Sequence, residues 1–365
     1  MATVHVFIGT KAQYIKTAPV LRLMDARGVE YRLIDSGQHA ALATGLRAEL
    51  GVRAPDRVLG GDRDITSIPR AITWSAGLAA RLLSRRRLLR DVFAGEGGVC
   101  VVHGDTPSTL LSTLMARRAG LAVAHLEAGL RSHDLLHPFP EELVRVLVMR
   151  VADLLFAPDA TAIAHLAGMR TRGQVVPLPA NTSLEAVRHA LGGRLEVAPT
   201  GPVLVTMHRV ENLHRPARVR GFVDLACRIA EDRPVRFVVH GPTRPVLERH
   251  RLIAPLERAG VELSGLVGYE TFVRHLAAAP FAVVDGGSIQ EECALLGVPT
   301  LLWRGRTERP DGLGENVVLG RYDPATVDAF LADPERLRRP PASSDLRPSE
   351  TILDTILETL DPGRL

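Results

Sequence analysis

Short apolar runs alternate with helical patterns along nearly the whole chain, and this rhythm constrains the fold more than any other feature of the sequence. Parallel strands need long crossover connections, which are usually helices, so the alternation predicts a doubly wound parallel sheet of the α/β class. In the first half, strands are predicted at VHVFI (4–8), YRLID (31–35), VCVVHGD (99–105), LAVAHLEAG (121–129) and DLLFAP (153–158). Helical patterns lie at 18–26, 40–50, 75–93, 108–119 and 141–152.

A stretch containing Gly and Pro at 173–201 interrupts this rhythm, which then restarts and predicts a second domain built like the first. We predict two Rossmann-like domains, 1–175 and 176–345, that face a central cleft, followed by a last helix within 346–365. Proteins built from open parallel sheets bind their ligands in such a cleft, at the carboxyl ends of the strands. Strands of the second domain are predicted at PVLVTMH (202–208), RFVVH (236–240), FAVVDGGS (281–288) and PTLLW (299–303).

The composition is that of a globular protein and argues against several other classes. The 365 residues are 46% hydrophobic and 24% charged, a balance that allows a large core. No apolar stretch reaches about 18 residues, so a membrane partner is not expected. An aromatic content of 4% offers no platform for single-stranded nucleic acid. The start of the chain indicates a first strand rather than a signal peptide and predicts a cytoplasmic protein.

Charge and cysteine content point to neither nucleic acid nor metal. The net charge is +4, and 43 of the 45 basic residues are arginines, a bias typical of a GC-rich genome. Basic clusters such as RRR (85–87) are short and typical of a solvated helix face. Cys100, Cys227 and Cys293 are far apart and odd in number, so neither a disulfide framework nor a zinc knuckle is expected.

Polar clusters follow five of the predicted strands, where parallel sheets place their ligand sites. Helix caps and turns explain one such cluster, but five exceed what turn chemistry requires. The clusters are GTK (9–11), HGDT (103–106), HLEAG (125–129), HRVEN (208–212) and DGGS (285–288).

The last cluster suits a phosphate group, because it opens a helix whose free N–H groups and positive end would face an anion. Glu292 lies one turn inside that helix and could accept hydrogen bonds from a ribose. Neither GxxxxGK[ST] nor a strand followed by GxGxxG occurs, so a nucleoside diphosphate fits better than ATP or NAD. His208, Arg209 and Lys11 would neutralise it. Alternatively, the cluster at 285–288 only caps a helix that has acids in its first turn. Lys11 can likewise be interpreted as a solvated loop residue.

Three acids, Asp105, Glu127 and Glu141, lie at the mouths of strands or helices of the first domain. In a closed cleft, desolvation would raise their pKa values and let them exchange protons with a sugar carbon or hydroxyl. Each of them can also be interpreted as an ordinary helix cap or first-turn acid.

Taken in order, these clusters resemble the bacterial non-hydrolysing UDP-N-acetylglucosamine 2-epimerases over roughly residues 4–323. The resemblance implies a fold of the glycosyltransferase B type, a UDP-sugar bound between the domains, a C-terminal helix that returns to the first domain, and a homodimer. It rests on GTKAQYIKTAP (9–19), SGQH (36–39), VVHGDT (101–106), HLEAGLRS (125–132), PFPEELVR (138–145), NTSLEAV (181–187), HRVEN (208–212), DGGSIQEEC (285–293) and TERP (307–310).

In that family, UDP is eliminated to leave a glycal-like 2-acetamido intermediate and then adds back with C2 inverted, without a redox cofactor or a metal. By this resemblance, the catalytic residues are Asp105, Glu127, Glu141 and His208. The implied substrate-binding residues are Lys11, Arg145, Arg209, Gly286, Gly287, Ser288, Glu292 and Arg309.

The chain departs from the family pattern at several points, which leaves the substrate open. The usual GTRPEAIK is GTKAQYIK, so Lys11 replaces an arginine and Gln13 an acid. The usual SGG is GGS, and Val144 replaces an asparagine.

SGQH resembles the start of an element that binds a second UDP-N-acetylglucosamine as an activator, but Ala41 replaces a usual glutamine there, so activation also stays open. The matching positions are Gln38, His39, Arg63, Arg209 and His240.

Four functions therefore compete. The first is the 2-epimerase, and the second is a hydrolase that releases UDP and free N-acetylmannosamine. The third, a glycosyltransferase on the same fold, would need an acceptor pocket and leaves the paired acids harder to explain. The fourth is a nucleotide-sugar sensor without turnover, which the retained acids argue against. HLEAGLR and PFPEE resemble the non-hydrolysing branch more closely and favour the first.

Overall fold

The computed structural model describes residues 3–38, 40–60, 68–134 and 140–360, and the chain divides into two compact units. Unit 1 comprises Met1–Ala186 and Asp345–Leu365, and unit 2 comprises Val187–Ser344. The boundary that the sequence predicts, between residues 175 and 176, falls inside a strand at Gln174–Pro177. This strand pairs with the preceding one in unit 1, so the chain stays in unit 1 beyond it.

Unit 1 contains a seven-stranded sheet in which every pairing in the described part of the chain is parallel. The strand order is β3-β2-β1-β4-β5-β6-β7, so the order reverses between β1 and β4. Such a switch point opens a crevice at the carboxyl ends of the two strands. The strands are β1 (Thr3–Ile8), β2 (Tyr31–Asp35), β3 (Arg57–Val58), β4 (Gly98–His103), β5 (Ala122–Leu126), β6 (Leu154–Ala157) and β7 (Gln174–Pro177).

Helices connect these strands, as the sequence rhythm predicts. Buried apolar residues on one face of the sheet, among them Phe7, Val102 and Leu155, belong to a core cluster beneath these helices. The helices are α1 (Lys11–Ala26), α2 (Ala40–Leu50), α3 (Ile68–Ala80), α4 (Arg85–Phe93), α5 (Pro107–Ala119), α6 (Glu141–Val151), α7 (Ala160–Ala167) and α8 (Ser183–Ala190), the last of which runs into unit 2.

Two predicted helices have different bounds in the structure. The first begins at Lys11 rather than Ala18, because Thr10 and Gln13 form a capping box. The continuous helical stretch predicted at 75–93 is divided into α3, a 3₁₀ turn at Arg81–Leu83, and α4. Ser84 is responsible for the division, because its backbone is extended and its Oγ caps α4 by accepting the Arg87 N–H at 3.4 Å.

Unit 2 repeats the design with a six-stranded parallel sheet in the order β10-β9-β8-β11-β12-β13. Its switch point lies between β8 and β11. The strands are β8 (Val203–Thr206), β9 (Val235–Val238), β10 (Glu262–Ser264), β11 (Ala282–Val284), β12 (Thr300–Leu302) and β13 (Val317–Leu319). The helices are α9 (Val210–Leu213), α10 (Pro216–Ala230), α11 (Thr243–Arg249), α12 (Ile253–Arg258), α13 (Tyr269–Ala278), α14 (Gly287–Leu296) and α15 (Pro324–Ala332).

The last helix, α16 (Pro348–Leu360), belongs to unit 1 and packs against α1. Its Ile352, Leu353 and Ile356 are fully buried. The Ser349 N–H and hydroxyl donate to the two carboxylate oxygens of Glu185 at 2.9 and 2.7 Å, which anchors the start of the helix on α8. Within the described ranges, no helix is long and apolar enough to cross a membrane.

Candidate active site

At the switch point of unit 1, Gln13 joins the loop after β1 to the loop after β4. Its Oε1 accepts the Gly9 N–H at 2.6 Å and the Thr10 N–H at 3.1 Å. Its Nε2 donates to the His103 carbonyl at 2.7 Å and to Thr109 Oγ1 at 2.9 Å. An ionised acid cannot donate to a carbonyl, so the amide suits this position through hydrogen bonds that a carboxylate could not make.

Glu127, directly after β5, lies in a compact cluster of opposite charge. Its φ of 60° is in the left-handed region, a strained backbone for a non-glycine residue of the kind that concentrates at functional sites. Lys16 Nζ contacts Oε1, which also accepts from Asn181 Nδ2 at 2.9 Å. His103 Nδ1 lies 3.9 Å from Oε2. With Lys16 and Glu127 both nearly buried, the lysine stabilises the charged carboxylate at this position.

Asp105, after β4, belongs to a second cluster of charges. Arg145 Nη2 lies 2.5 Å from Asp105 Oδ2, and Arg145 Nη1 donates to Glu142 Oε2 at 3.3 Å. Arg131 Nε donates to Glu142 Oε1 at 2.5 Å, and the Ser132 N–H donates to Oε2 at 3.0 Å. Burial alone would raise the pKa of Glu142, but the hydrogen bonds from Arg131 and Ser132 hold it below its ordinary value.

The structure gives the two neighbouring acids of α6 different roles. Glu142 is fully buried and anchors Arg131 and Arg145. Glu141 is the first residue of the helix, and its buried Oε2 has no hydrogen-bond partner among the described residues. The arrangement leaves Glu141 chemically distinct from the ion-paired acids.

His125 supports the loop that carries Asp105. Its Nε2 lies 2.8 Å from the Gly104 carbonyl, and complete burial lowers its pKa, so the neutral ring donates its Nε2 proton. Gly104 has a φ of 69°, a conformation that glycine adopts without strain. The backbone immediately before Asp105 is therefore held by a fixed hydrogen bond.

In unit 2, the buried carboxylate of Asp285 joins the two sides of the switch point. It accepts the His208 N–H at 3.0 Å and the Arg209 N–H at 2.9 Å. The next residues form the glycine turn (286–288), in which Gly286 is the N-cap of α14. A Cβ at Gly286 would lie 2.7 Å from His208 Cε1, so a larger residue there would require the ring to shift. The predicted helix start is therefore present, with its free N–H groups beside His208.

Charged side chains surround this turn. Arg309, which the resemblance assigns to the substrate, donates from Nη1 to Glu291 Oε2 at 2.9 Å. Its Nε would lie 3.2 Å from a Cβ at Gly287. Arg209 Nη1 lies 3.9 Å from Glu308 Oε1, and Arg304 Nη1 lies 3.1 Å from Glu308 Oε2. Three arginines are thus paired with the buried or nearly buried acids Glu291 and Glu308, an arrangement that suits a bound anion.

The remaining predicted site residues are divided between the units. Lys11 is the half-buried first residue of α1, and Gln38 follows β2. Ser288 and the buried Glu292 lie on α14, and the His240 ring stacks on His208 at 4.4 Å. His39 and Arg63 lie outside the described residues. In the portion of the chain that the structure covers, no three His, Cys, Asp or Glu side chains are grouped to hold a metal ion.

Sequence reasoning did not identify several residues that shape the site, although most of them lie in motifs it had singled out. Their contacts join segments far apart in the chain, and the pattern of one segment does not show its partners. These residues are Lys16, Arg131, Glu142, Asn181 and Asp285.

Comparison with known proteins decides the family. The family model for UDP-N-acetylglucosamine 2-epimerase matches residues 22–332. The chain belongs to this family. A relative from Bacillus subtilis named UDP-N-acetylglucosamine 2-epimerase is 28% identical, covering 84% of this chain and 79% of the relative. A Pseudomonas aeruginosa relative named UDP-2,3-diacetamido-2,3-dideoxy-D-glucuronate 2-epimerase is 29% identical, covering 86% and 87%.

The solved structures of this family show the same fold. The UDP-N-acetylglucosamine 2-epimerase from Neisseria meningitidis, bound to UDP-N-acetylglucosamine, has a TM-score of 0.81 at 23% identity, covering 98% of this chain and all of that one. The predicted α/β class with two Rossmann-like domains is thereby confirmed, as is the family that the motifs resemble.

Proposed function

We propose that this protein interconverts UDP-N-acetylglucosamine and UDP-N-acetylmannosamine by eliminating and re-adding UDP. The observation that carries the proposal is the set of acids at the switch point of unit 1, each in a different electrostatic setting. Glu127 is held by Lys16, Asp105 by Arg145, and Glu141 Oε2 has no hydrogen-bond partner in the described ranges. An isomerase that removes and returns one proton needs groups that differ in this way.

The chemical step balances with these groups alone. A carboxylate takes the C2 proton, the C2–H electron pair forms the C1–C2 double bond, and the C1–O bond breaks with its electrons leaving on UDP. On return, an acid delivers a proton to the opposite face of C2 while a diphosphate oxygen attacks C1. We assign these transfers to Asp105, Glu127 and Glu141, which the structure places at the ends of β4 and β5 and at the start of α6.

The glycine turn, His208 and Glu292 of unit 2 are assigned to UDP. The start of α14 offers free N–H groups to the diphosphate, and His208 and Arg209 add polar and cationic contacts. Lys11, Arg145 and Arg309 complete the proposed substrate contacts. Gln38 and His240 are assigned to the proposed activator site. These assignments follow the family resemblance, and the geometry around the glycine turn supports those of His208 and Arg309.

One NMR experiment tests the function. The purified protein is mixed with UDP-N-acetylglucosamine, and proton and phosphorus spectra are followed with time. The proposal predicts a mixture of two UDP-sugars that differ at C2. UDP with free N-acetylmannosamine would indicate the hydrolase. The same assay with UDP-2,3-diacetamido-2,3-dideoxy-D-glucuronate, the substrate that the Pseudomonas aeruginosa relative's name indicates, shows which sugar turns over faster.

We further propose that the protein is a homodimer. Support comes from α6, on which Leu143, Leu147 and Val151 are 39%, 38% and 37% exposed at intervals of four residues. Residues at this spacing form one stripe, and an exposed apolar stripe is typical of an interaction surface. Light scattering should find a dimer that Leu147→Glu converts to monomer, while Leu266→Glu, at an exposed site of unit 2, should leave it intact.

A cytoplasmic location stays a prediction.

A further inference from the structure

The Asp285 side chain is fully buried at the end of β11, yet it is neither a helix cap nor part of an ion pair with a lysine or arginine in the described ranges. Its hydrogen bonds come from the backbone N–H groups of His208 and Arg209 and from Asn212 Nδ2, at 2.9 to 3.1 Å. Burying a carboxylate costs free energy of folding unless hydrogen-bond donors compensate for the lost water, as they do here. A carboxylate buried at this point therefore suggests a functional role.

The carboxylate also faces the ring of His208. His208 Nδ1 lies 3.3 Å from Asp285 Oδ1 and is the ring atom nearest to that carboxylate for which a contact is recorded, and this buried nitrogen makes no hydrogen bond within the described residues. The ring stacks on His240 with an angle of 19° between the planes, and Gly286 approaches Cε1 closely. Neighbours on several sides therefore hold the ring in one orientation, with Nδ1 toward the carboxylate.

A second layer holds the carboxylate itself. Asn212 is fully buried and donates from Nδ2 to Asp285 and to the Trp303 carbonyl, both at 3.0 Å. Its Oδ1 accepts the Tyr322 hydroxyl at 2.8 Å. The chain from Tyr322 through Asn212 to Asp285 is the kind of support that fixes the orientation and tautomer of a functional histidine in other sites.

The neutral form of the His208 ring is favoured in this setting. Burial lowers its pKa, Arg209 acts in the same direction, and Asp285 opposes both. His240 is the third titratable group against the ring. For a neutral imidazole, the tautomer decides which nitrogen can donate and which can accept a proton, so a group that fixes the tautomer controls what the ring presents to a ligand.

We propose that Asp285 is a positioning residue that holds the proton of neutral His208 on Nδ1 and so presents Nε2 as the acceptor nitrogen. The proposal depends on the proposed function in one respect, namely that Nε2 faces the diphosphate of a bound UDP-sugar. There it can take up a proton from solvent water, and the resulting imidazolium, whose charge Asp285 balances, stabilises the departing UDP. Replacement of the carboxylate would allow the other tautomer, with Nε2 protonated and no longer able to accept.

The first test measures the tautomer without substrate and is therefore independent of the enzymatic activity. Protein labelled with ¹⁵N-histidine is examined by long-range proton–nitrogen correlation across a pH series, with the His208 signals assigned from His208→Gln. The wild-type ring should carry its proton on Nδ1 when neutral. Asp285→Asn should move a substantial population to Nε2. A wild-type ring protonated on Nε2, or the same tautomer in both proteins, would overturn the proposal.

The second test separates positioning from mere folding. Asp285→Asn should lower kcat at least about tenfold, because a histidine in the wrong tautomer loses its function even when geometry is kept. In a His208→Gln background, the same substitution should change kcat less than about twofold. A purely structural Asp285 predicts the same loss in both backgrounds. If Asp285→Asn fails to fold, the tautomer measured in the wild-type protein still tests the proposal. If the wild-type protein has no epimerase activity, that result contradicts the proposed function but not the role of Asp285.

Discussion

The two units build their switch points from the same residue types in opposite arrangements. In unit 1, the candidate catalytic acids are held by cations: Glu127 by Lys16 and Asp105 by Arg145. In unit 2, the groups proposed to meet the diphosphate are the cations and the histidine, and acids hold them. Asp285 binds the backbone of His208 and Arg209, and Glu291 binds Arg309.

This difference shows how one architecture serves two kinds of chemistry. A carboxylate that must move protons is positioned by nearby cations and donors, which set its charge. A site for a diphosphate needs open N–H groups and positive side chains, so its own acids lie beneath the surface, where they orient the cations. We therefore assign transfer of the C2 proton to unit 1, and binding of UDP with stabilisation of its departing diphosphate to unit 2, and substitutions can separate the two roles.

The largest effect is expected for Asp105→Asn in unit 1. Asparagine keeps the shape of the side chain but cannot transfer a proton, so kcat should fall by a factor of at least about 10², as for loss of a general acid or base. The affinity for UDP, measured by calorimetry, should stay within about twofold of wild type. Asp91→Asn, at an exposed site of unit 1, is the control and should change neither quantity. A near-normal kcat for Asp105→Asn would remove this acid from the mechanism.

The opposite pattern is expected for Glu292→Ala in unit 2. Glu292 is buried on α14, and removing one partner of a buried hydrogen bond should weaken UDP binding by about 1–3 kcal/mol. Glu270→Ala, on the surface of α13, should bind UDP normally. Unchanged UDP affinity in Glu292→Ala, measured by calorimetry, would contradict the assignment of the ribose to this residue.

The smallest effect concerns the stability of unit 1. Glu142→Gln should lower the free energy of unfolding by about 1–2 kcal/mol at pH 7, because it weakens the hydrogen bonds to Arg131 and Arg145. The folded-state pKa of Glu142 lies below its ordinary value of 4.5, so the ionised group stabilises the fold above that pH. This contribution is lost as the pH falls through the lower, folded-state pKa.

Denaturant unfolding at several pH values between 7 and 3 measures this contribution. The difference between wild type and Glu142→Gln should shrink toward zero as the solution becomes acidic. A difference that does not depend on pH would mean that the substitution acts through packing rather than through the charge of Glu142.

The sequence predicts the architecture well because its signal is local. Apolar runs mark β1, β2, β4, β5 and β6 close to their observed bounds, and GGS (286–288) begins α14 as expected. Prediction was poorer where one polar side chain decides. Ser84 divides a helical pattern that looks continuous, and the Thr10–Gln13 capping box starts α1 seven residues before the predicted position.

The site was predicted less completely, for a physical reason. The pattern places an acid after a strand but does not show which distant cation meets it. Lys16 reaches Glu127 across 111 positions of the chain, and Asp285 reaches His208 across 77. Adjacent acids are also hard to separate, since Glu141 and Glu142 share a motif while only Glu142 faces Arg131. Such assignments need the tertiary fold, because burial and pairing arise only there.

The most direct test of the central claim, that carboxylates of unit 1 move the C2 proton, is the isotope content of the product. The reaction is run in deuterated water, the UDP-sugar of inverted configuration is isolated, and mass spectrometry with proton NMR locates the deuterium. A carboxylate that takes the C2 proton exchanges it with solvent before the opposite face is reprotonated. One deuterium is therefore expected at C2 of the product, and a product that retains hydrogen at C2 would contradict proton transfer by these carboxylates.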